Sequence, residues 1–282
     1  MKNNIFLLIA ASIFILSFSS CDDLLDVTPK DKITPETFFS TESDLQAFST
    51  NFYNSLPKDR DLYKDDADNI THSTPNSAAT DSRTVPASGG GWEWGYLRRF
   101  NTLLQYSVNC KDKTVRTRYQ ALTRFFRAYF YFEMVKRFED VPWYDTELFV
   151  SETDQLNKPR DSRELVMKNI LEDLDFAITN LSTTPSVYTV TKWTALSLKS
   201  RVCLFEGTFR KYHNLNLSTN ADFFLQESIT ASRELMKESN YTLYTEGGTN
   251  QAYRKLFTSQ NAPTTEVIMA RNYNLTYDIY NT

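Results

Sequence analysis

Apolar residues recur at helical spacing in one segment of the chain after another, and this pattern limits the possible folds more than any other feature. In the first segment they lie at positions i, i+3, i+7 and i+11, which places them on one face of a helix. These residues are Leu45, Phe48, Phe52 and Leu56. Thr41 can cap this helix at its N-terminus, and Pro57 closes it.

Five further segments show the same periodicity, and several begin with a recognisable N-terminal signal. The second helix is predicted to begin near Trp92. The fourth follows Asp161, which forms a capping-box pattern with Glu164 three residues later. Thr191 and Asp222 can cap the fifth and sixth helices.

These segments predict a mostly α-helical protein. The third segment, over 114–138, is apolar over a wide arc, so we expect it to be central to the core. Helices of this length in antiparallel pairs suggest tetratricopeptide-like hairpins, although no clean repeat period is present. Only 7 of 282 residues are glycine, which argues against a turn-rich all-β fold. Short strands are possible near 267–271.

A long loop is predicted between the first two helices. Over 58–91 the periodicity disappears and small polar residues dominate, ending in three consecutive glycines. Loops of this length inside a domain usually carry function.

The N-terminus has the pattern of an export signal. Lys2 precedes a charge-free apolar run over 5–18, which is too short to span a bilayer and fits a signal-peptide core. Small residues then precede Cys21, as in a lipobox, so we expect cleavage after residue 20 and acylation of the Cys21 thiol. The alternative is an ordinary signal peptide in which the cysteine is incidental.

The expected domain organisation follows from this signal. Residues 1–20 are the predicted signal peptide, and the acidic stretch over 21–34 is the predicted tether between lipid and protein. The rest of the chain, 35–282, is the predicted helical domain.

Charge and composition exclude several classes of function. Lys and Arg total 31 against 35 Asp and Glu, a balance too near neutral for a nucleic-acid binder that relies on phosphate contacts. Only two histidines are present, which leaves little material for histidine catalysis or a histidine metal site. No hydrolase or nucleotide-binding motif occurs, and we predict neither an enzyme nor a cofactor. A glycosidase with two carboxylates stays a less favoured alternative.

An acidic cluster in the long loop, Asp65, Asp66 and Asp68, could offer oxygen ligands to Ca²⁺. No loop of ligand spacing surrounds it, so a solvated acidic loop is the favoured interpretation. No metal site is therefore predicted.

Several polar or reactive residues are predicted to be structural. Arg124, Arg127 and Glu133 lie on the aromatic third helix, where ion pairs with neighbouring helices are favoured over catalysis. Cys110 and Cys203 are expected to be buried free thiols, although the exported compartment would permit a disulfide.

Several segments, taken in order along the chain, resemble one family of lipoproteins. They are CDDLLDVTP (21–29), TFFSTESDL (37–45), WGYLRRFN (94–101), RFFRAYFYF (124–132), EDVPWY (139–144), PRDS (159–162), ILEDLDFA (170–177), KWTAL (192–196) and SRVCLFEG (200–207). Together they are similar to the SusD/RagB family of outer-membrane nutrient-binding lipoproteins. The chain departs from the family at Glu139, where glycine is usual. It is also shorter than most members and resembles only their N-terminal part, so that 35–282 would lack the C-terminal half.

The resemblance implies a SusD-like N-terminal region with a mostly helical, tetratricopeptide-like fold. It implies a lipoprotein of the outer membrane that faces the cell exterior and captures polysaccharide or oligosaccharide, or sometimes peptide. The implied partner is a SusC-like TonB-dependent transporter. The alternatives are a protein-interaction scaffold and a degenerate fragment without ligand binding.

Four residues are candidates for ligand contact. Trp92 and Trp94 follow the glycine-rich stretch, and exposed tryptophans are stacking platforms for the apolar faces of sugars, although core packing is the alternative. Asn101 either contacts ligand or fixes the helix, and Arg83 in the long loop is a weaker candidate. Trp143 follows a helix end and is expected to pack.

Overall fold

The computed structural model describes residues 35, 37–57, 77 and 80–272. The predicted signal peptide, Cys21, the tether and the acidic cluster at 65–68 lie outside these residues.

Helices account for nearly all regular structure in the described part of the chain. They are α1 (Glu42–Thr50), α2 (Gly95–Tyr106), α3 (Lys113–Phe138), α4 (Thr153–Leu156), α5 (Arg163–Asn180), α6 (Lys192–Tyr212), α7 (Ala221–Glu238) and α8 (Ala252–Thr258). Short 3₁₀ segments follow α1 (Asn51–Ser55) and α2 (Ser107–Asn109). The mostly α fold class is confirmed.

The prediction of short strands near 267–271 is wrong. Ala270 donates its N–H to the carbonyl of Val187 at 2.8 Å, but this contact does not extend into a ladder. Among the described residues the β pairing is an isolated antiparallel bridge between Val141 and Asp161.

Successive long helices run antiparallel and pack as hairpins. In the α6–α7 pair, Lys192 at the start of α6 forms an ion pair with Glu234 near the end of α7 at 2.7 Å. Arg210 at the end of α6 donates to the carbonyl of Thr219, just before α7. The same reversal relates α2 to α3, α3 to α5 and α5 to α6. These pairs form the predicted helical hairpins.

Helix α3 lies in the middle of the core, as its wide apolar arc predicts. It packs against α1, α2, α5 and α6. The ring of Phe126 lies 5.9 Å from that of Phe52 and 6.1 Å from that of Phe100, and all three are fully buried. Aromatic pairs of this kind contribute about 0.5–1.5 kcal/mol beyond the burial of their area.

A buried ion cluster joins α3 to α5. Arg127 donates to both carboxylate oxygens of Asp173, from Nε at 2.7 Å and from Nη2 at 2.8 Å. Arg124 donates to the same carboxylate at 2.5 Å. The predicted interhelical ion pairs of the two arginines are therefore confirmed. Glu133 instead pairs with Lys136 on the surface of its own helix, at 2.6 Å, so for this residue the interhelical prediction is wrong.

A second buried cluster joins α5 to α6. The carboxylate of Glu206 is fully buried and accepts from Arg163 Nη2 at 2.6 Å and from Arg210 Nε at 2.7 Å. Two guanidinium groups therefore share one buried carboxylate, with Glu164 lying 3.6 Å from Arg210 at the edge of the cluster. The Nη2 atom of Arg210 is buried and has no hydrogen-bond partner among the described residues.

Two of the predicted helix caps are confirmed. Thr41 Oγ1 accepts from the N–H of Asp44 at 3.2 Å, and the Asp44 carboxylate accepts from the N–H of Thr41 at 2.8 Å. Thr191 precedes α6 and donates its N–H to Thr194 Oγ1 at 3.2 Å.

Two other caps and one helix start are wrong by one to three residues. The N-cap of α5 is Ser162, because Asp161 turns away to accept the N–H of Trp143 at 2.7 Å. The N-cap of α7 is Asn220, which leaves Asp222 in the first turn. Helix α2 begins at Gly95, because the N–H of Trp92 closes a turn with the carbonyl of Gly89 and the three residues at 92–94 are not helical.

The two cysteines of the described chain are free and buried, as expected. Cys110 lies after α2 and Cys203 on α6. Burial raises the pKa of the Cys203 thiol to about 12, so this group stays protonated and unreactive.

Glu139 lies in a backbone conformation that favours glycine. It follows the last residue of α3 with φ 65° and ψ −103°, and its side chain is exposed. A residue with a Cβ in such a region costs on the order of 1–3 kcal/mol. This explains in physical terms why glycine suits this position.

We expect Glu139→Gly to raise the free energy of unfolding by about 1 kcal/mol. Relief of the strained backbone is partly offset because glycine gains more conformational freedom in the unfolded chain. Urea denaturation measures the change. Glu133→Gly, an exposed glutamate inside the same helix, is the matched control and should lower stability by about 1 kcal/mol. A loss of stability in both variants would contradict the strain at Glu139.

Candidate functional site

Three consecutive glycines lead the chain into the start of α2. Gly89, Gly90 and Gly91 have φ values of 73°, 68° and 85°, which glycine adopts at no steric cost. At Gly91 space is also lacking, because a Cβ would lie 2.9 Å from Cζ of Arg137. The turn is closed by the N–H of Trp92, which donates to the carbonyl of Gly89 at 3.3 Å. It thereby fixes where Trp92 enters the fold.

The two predicted tryptophans lie side by side at the N-terminal end of α2. The rings of Trp92 and Trp94 meet edge to face with centroids 5.1 Å apart. Trp92 also contacts the ring of Phe138 and is 37% exposed. Trp94 is half-buried and contacts three further rings, those of Phe130, Tyr131 and Tyr144. Trp92 is therefore open to a ligand, and Trp94 supports it.

A cleft of about 610 Å³ opens beside these tryptophans. Its walls come from the start of α2, from the segment 142–148 that follows α3, and from the segment 156–160 that precedes α5. Clefts of roughly 300–1,000 Å³ are the usual size for small-molecule sites. The lining combines aromatic and aliphatic side chains with basic ones, among them Trp92, Trp94, Leu97, Arg98, Tyr144, Leu156, Lys158 and Arg160.

Asn101 lies on the cleft wall, but its amide is engaged with the protein. It is 1% exposed, and Nδ2 donates to the carbonyls of Tyr144 at 3.0 Å and Thr146 at 2.9 Å. Its Oδ1 accepts from Arg127 at 3.3 Å. Asn101 thus ties the 142–148 segment to α2 and to the buried ion cluster at Asp173.

Tyr131, a buried residue of α3, also holds the 142–148 segment in place. Its hydroxyl accepts the N–H of Tyr144 at 2.6 Å and lies 3.3 Å from the carbonyl of Pro142, to which it can donate. Burial raises the pKa of Tyr131 far above its ordinary value, so the hydroxyl keeps its proton. Trp143 stacks on the Tyr131 ring at 4.2 Å, which confirms the prediction that it packs.

Two of the three basic residues of the lining are paired with carboxylates. Arg98 Nε lies 3.2 Å from Glu147, and Lys158 Nζ lies 2.8 Å from Asp161. Burial would raise the pKa of Asp161, but hydrogen bonds from Lys158 and the N–H of Trp143 outweigh it and hold the pKa below its ordinary value. The ammonium of Lys158 also lies 4.8 Å from the centroid of the Tyr144 ring.

The structure brings together three of the four predicted site residues. Trp92, Trp94 and Asn101 line one cleft, whereas Arg83 is exposed and outside its lining. Tyr144, Lys158 and Arg160 were missed, although the segments EDVPWY and PRDS contain or adjoin them. The family resemblance of these segments could have pointed to the three residues, whereas the periodicity of apolar residues could not.

The described lining offers aromatic faces and cationic donors, and it holds no carboxylate, imidazole or thiol. Across the residues that the structure describes, no cluster of three or more metal-ligating side chains occurs. In that same part of the chain, none of the helices has the length and apolar character needed to cross a membrane. A larger cavity of about 770 Å³ lies between the end of α1, α3, α6 and 266–272, without a tryptophan in its lining.

A family model described as starch-binding and associating with the outer membrane matches residues 23–204. SusD-like protein P38 of Formosa agariphila is 25% identical over 232 residues, which cover 78% of this chain and 46% of that protein.

The fold is similar to those of solved SusD-like structures. A SusD-like protein from Bacteroides fragilis has a TM-score of 0.61 and 24% identity, covering 83% of this chain and 45% of the other. A SusD homologue from Bacteroides thetaiotaomicron has a TM-score of 0.62 and 19% identity, covering 83% and 47%. The chain spans about half the length of the curated relatives it matches.

Proposed function

We propose that this chain, which belongs to the SusD-like family, binds carbohydrate in the cleft beside Trp92 and Trp94. The family description names starch binding and association with the outer membrane. The observation that carries the proposal is the pair of adjoining tryptophans, one of them 37% exposed, at a cleft of about 610 Å³.

The chemistry of the cleft suits a sugar ring. A pyranose presents apolar C–H groups on its faces and hydroxyl groups around its rim. Flat aromatic side chains stack on the faces at low entropic cost, and fixed polar groups at the edge orient the ring. Trp92 supplies the exposed face, while Arg98 on α2 and Lys158 in the 156–160 segment supply donors.

The other predicted site residues take supporting roles in this proposal. Trp94 backs Trp92, and Asn101 positions the 142–148 wall through its two amide hydrogen bonds. Arg83 would contact a ligand only where it extends beyond the cleft.

We further infer a location in the cell and a protein partner. The pattern at 1–20 supports export, Cys21 supports lipid anchoring, and 21–34 would then be the tether of a helical domain that begins at residue 35. The resemblance supports a position on the outer membrane facing the exterior, and delivery of the glycan to a SusC-like TonB-dependent transporter.

Trp92→Ala is expected to weaken carbohydrate binding at least tenfold, which corresponds to about 1.4 kcal/mol. The substitution removes the exposed stacking face and leaves Trp94 on its buried contacts. Native gels cast with soluble polysaccharides, starch first, measure the change as lost retardation. Tyr212→Ala is the matched control, because Tyr212 is an aromatic residue 78% exposed at the end of α6.

Equal retardation of the parent and Trp92→Ala, with the parent clearly retarded, would remove Trp92 from the site. A parent that no polysaccharide retards would contradict the proposal itself.

A further inference from the structure

The charge of the cleft lining is one-sided. Three of its residues are basic, namely Arg98, Lys158 and Arg160, and none is acidic. A cleft built for uncharged hydroxyl groups alone has no need of this bias. Selection by charge requires a cation that no carboxylate of the protein neutralises.

The charges of Arg98 and Lys158 are balanced within the protein. Their carboxylate partners, Glu147 and Asp161, neutralise them, and Lys158 also donates to the carbonyl of Trp143 at 2.6 Å. The Arg98–Glu147 pair links α2 to the 142–148 wall, and the bond from Lys158 to Trp143 links 156–160 to the same wall. Neither supplies uncompensated charge.

Arg160 differs from both. Among the described residues, no carboxylate lies within 4.0 Å of its guanidinium, which donates one hydrogen bond, from Nη1 to the carbonyl of Phe138 at 3.1 Å. The side chain is exposed, and Cζ lies 5.0 Å from the centroid of the Trp92 ring. A planar cation with open donors therefore adjoins the proposed sugar platform.

A second arginine lies beside the residue that precedes Trp92. The guanidinium of Arg137 lies against Gly91, close enough to leave no room for a Cβ there. Within the described chain it also lacks a carboxylate partner within 4.0 Å. Two arginines whose charge is not compensated by an ion pair therefore lie at 91–92, Arg160 over the Trp92 ring and Arg137 against Gly91.

We propose that the cleft selects acidic carbohydrate, with a uronate carboxylate or a sulfate ester of the glycan held by Arg160 while its ring stacks on Trp92. The proposal rests on the carbohydrate binding proposed above. Guanidinium is the side chain suited to such groups, because its parallel N–H donors match two oxygens of a carboxylate or sulfate. Arg137 adds long-range attraction at the mouth of the cleft.

The test is a panel of oligosaccharides in matched pairs, each uronic acid or sulfated sugar beside its methyl-esterified or desulfated form. Affinities are measured by isothermal titration calorimetry with the full chain. We expect the acidic member of the bound pair to bind at least tenfold more tightly at low salt. The preference should shrink as salt rises, because screening weakens exposed charges.

Three variants separate an effect of the Arg160 charge from an effect of disturbed structure. Arg160→Gln should remove most of the preference for the acidic member, measured as the ratio of the affinities for the two members of a pair. Arg160→Lys should restore part of the preference, since lysine retains the positive charge but lacks the parallel N–H donors of the guanidinium. Arg99→Gln is the matched control, because Arg99 is an exposed arginine on α2 outside the cleft lining.

The outcomes distinguish this inference from the function on which it depends. Equal binding of neutral and acidic members, with loss of both in Trp92→Ala, would overturn the charge selection and leave carbohydrate binding standing. A preference unchanged in Arg160→Gln would overturn the role of Arg160. Failure of every pair to bind would overturn both proposals.

Discussion

Asp173→Ala is expected to lower the free energy of unfolding by about 3–5 kcal/mol, the usual cost of removing one partner from a buried ion pair. Asp173 is 1% exposed and binds Arg127 through two hydrogen bonds and Arg124 through a third. Without this carboxylate, two guanidinium groups at the α3–α5 contact would lose their counter-ion. Urea denaturation measures the loss.

A neighbouring acid provides the control. Asp175 lies on the same helix, is largely exposed and pairs with Lys199 at 2.7 Å. Asp175→Ala should cost less than about 1 kcal/mol, because the Asp175 carboxylate is exposed and Lys199 keeps Glu227 as a partner at 2.6 Å. Similar losses in the two variants would show that burial of Asp173 does not determine its contribution.

Removal of the Asp173 carboxylate should also disturb the cleft. Arg127 holds Asn101, and Asn101 holds the carbonyls of Tyr144 and Thr146 in the opposite wall. We therefore expect Asp173→Ala to weaken glycan retention even at temperatures where the variant is folded. Retention equal to that of the parent would mean that the wall keeps its position without the ion cluster.

The second large effect is expected from Cys21→Ser. The thiol is the acylation site that the lipobox pattern predicts, and each buried methylene of an acyl chain contributes about 0.8 kcal/mol to membrane binding. The variant should move from the detergent phase to the aqueous phase in detergent partitioning. Cys110→Ser is the control, because Cys110 is a buried free thiol and should leave the partitioning unchanged.

The same membrane fraction tests the partner. A pull-down of the lipidated protein from solubilised outer membranes should recover a large TonB-dependent barrel, identified by mass. Unchanged partitioning of Cys21→Ser would contradict the anchor, and recovery of the protein without a barrel would contradict the transporter.

The helices were predictable because their signals are local. Periodic apolar residues placed α3 in the core, and Thr41 and Thr191 marked two helix starts. The errors at Asp161 and Asp222 arose where several polar residues adjoin, since tertiary contacts decide which of them caps. Asp161 is bound instead to the N–H of Trp143, which lies 18 residues away in sequence.

The site was predictable only on the side that belongs to α2. Trp92, Trp94 and Asn101 stand close together in the sequence, so a local argument found them. Lys158 and Arg160 reach the cleft only because α3 and α5 pack antiparallel and bring an irregular segment back to the start of α2. No periodic pattern marks such a segment. The partner of Arg127 was unpredictable for the same reason.

The anchoring of the 142–148 wall bears on how a glycan would enter and leave. Asn101 and the Tyr131 hydroxyl hold that wall from the protein side before any ligand arrives. Binding of a glycan would therefore cost little conformational entropy, because this wall is already ordered. Release in turn depends on the stacking and hydrogen bonds at the cleft surface, and not on the unlocking of this wall. Under the proposed function, a second binding surface that competes for the same sugar face can therefore remove the glycan without any movement of this wall.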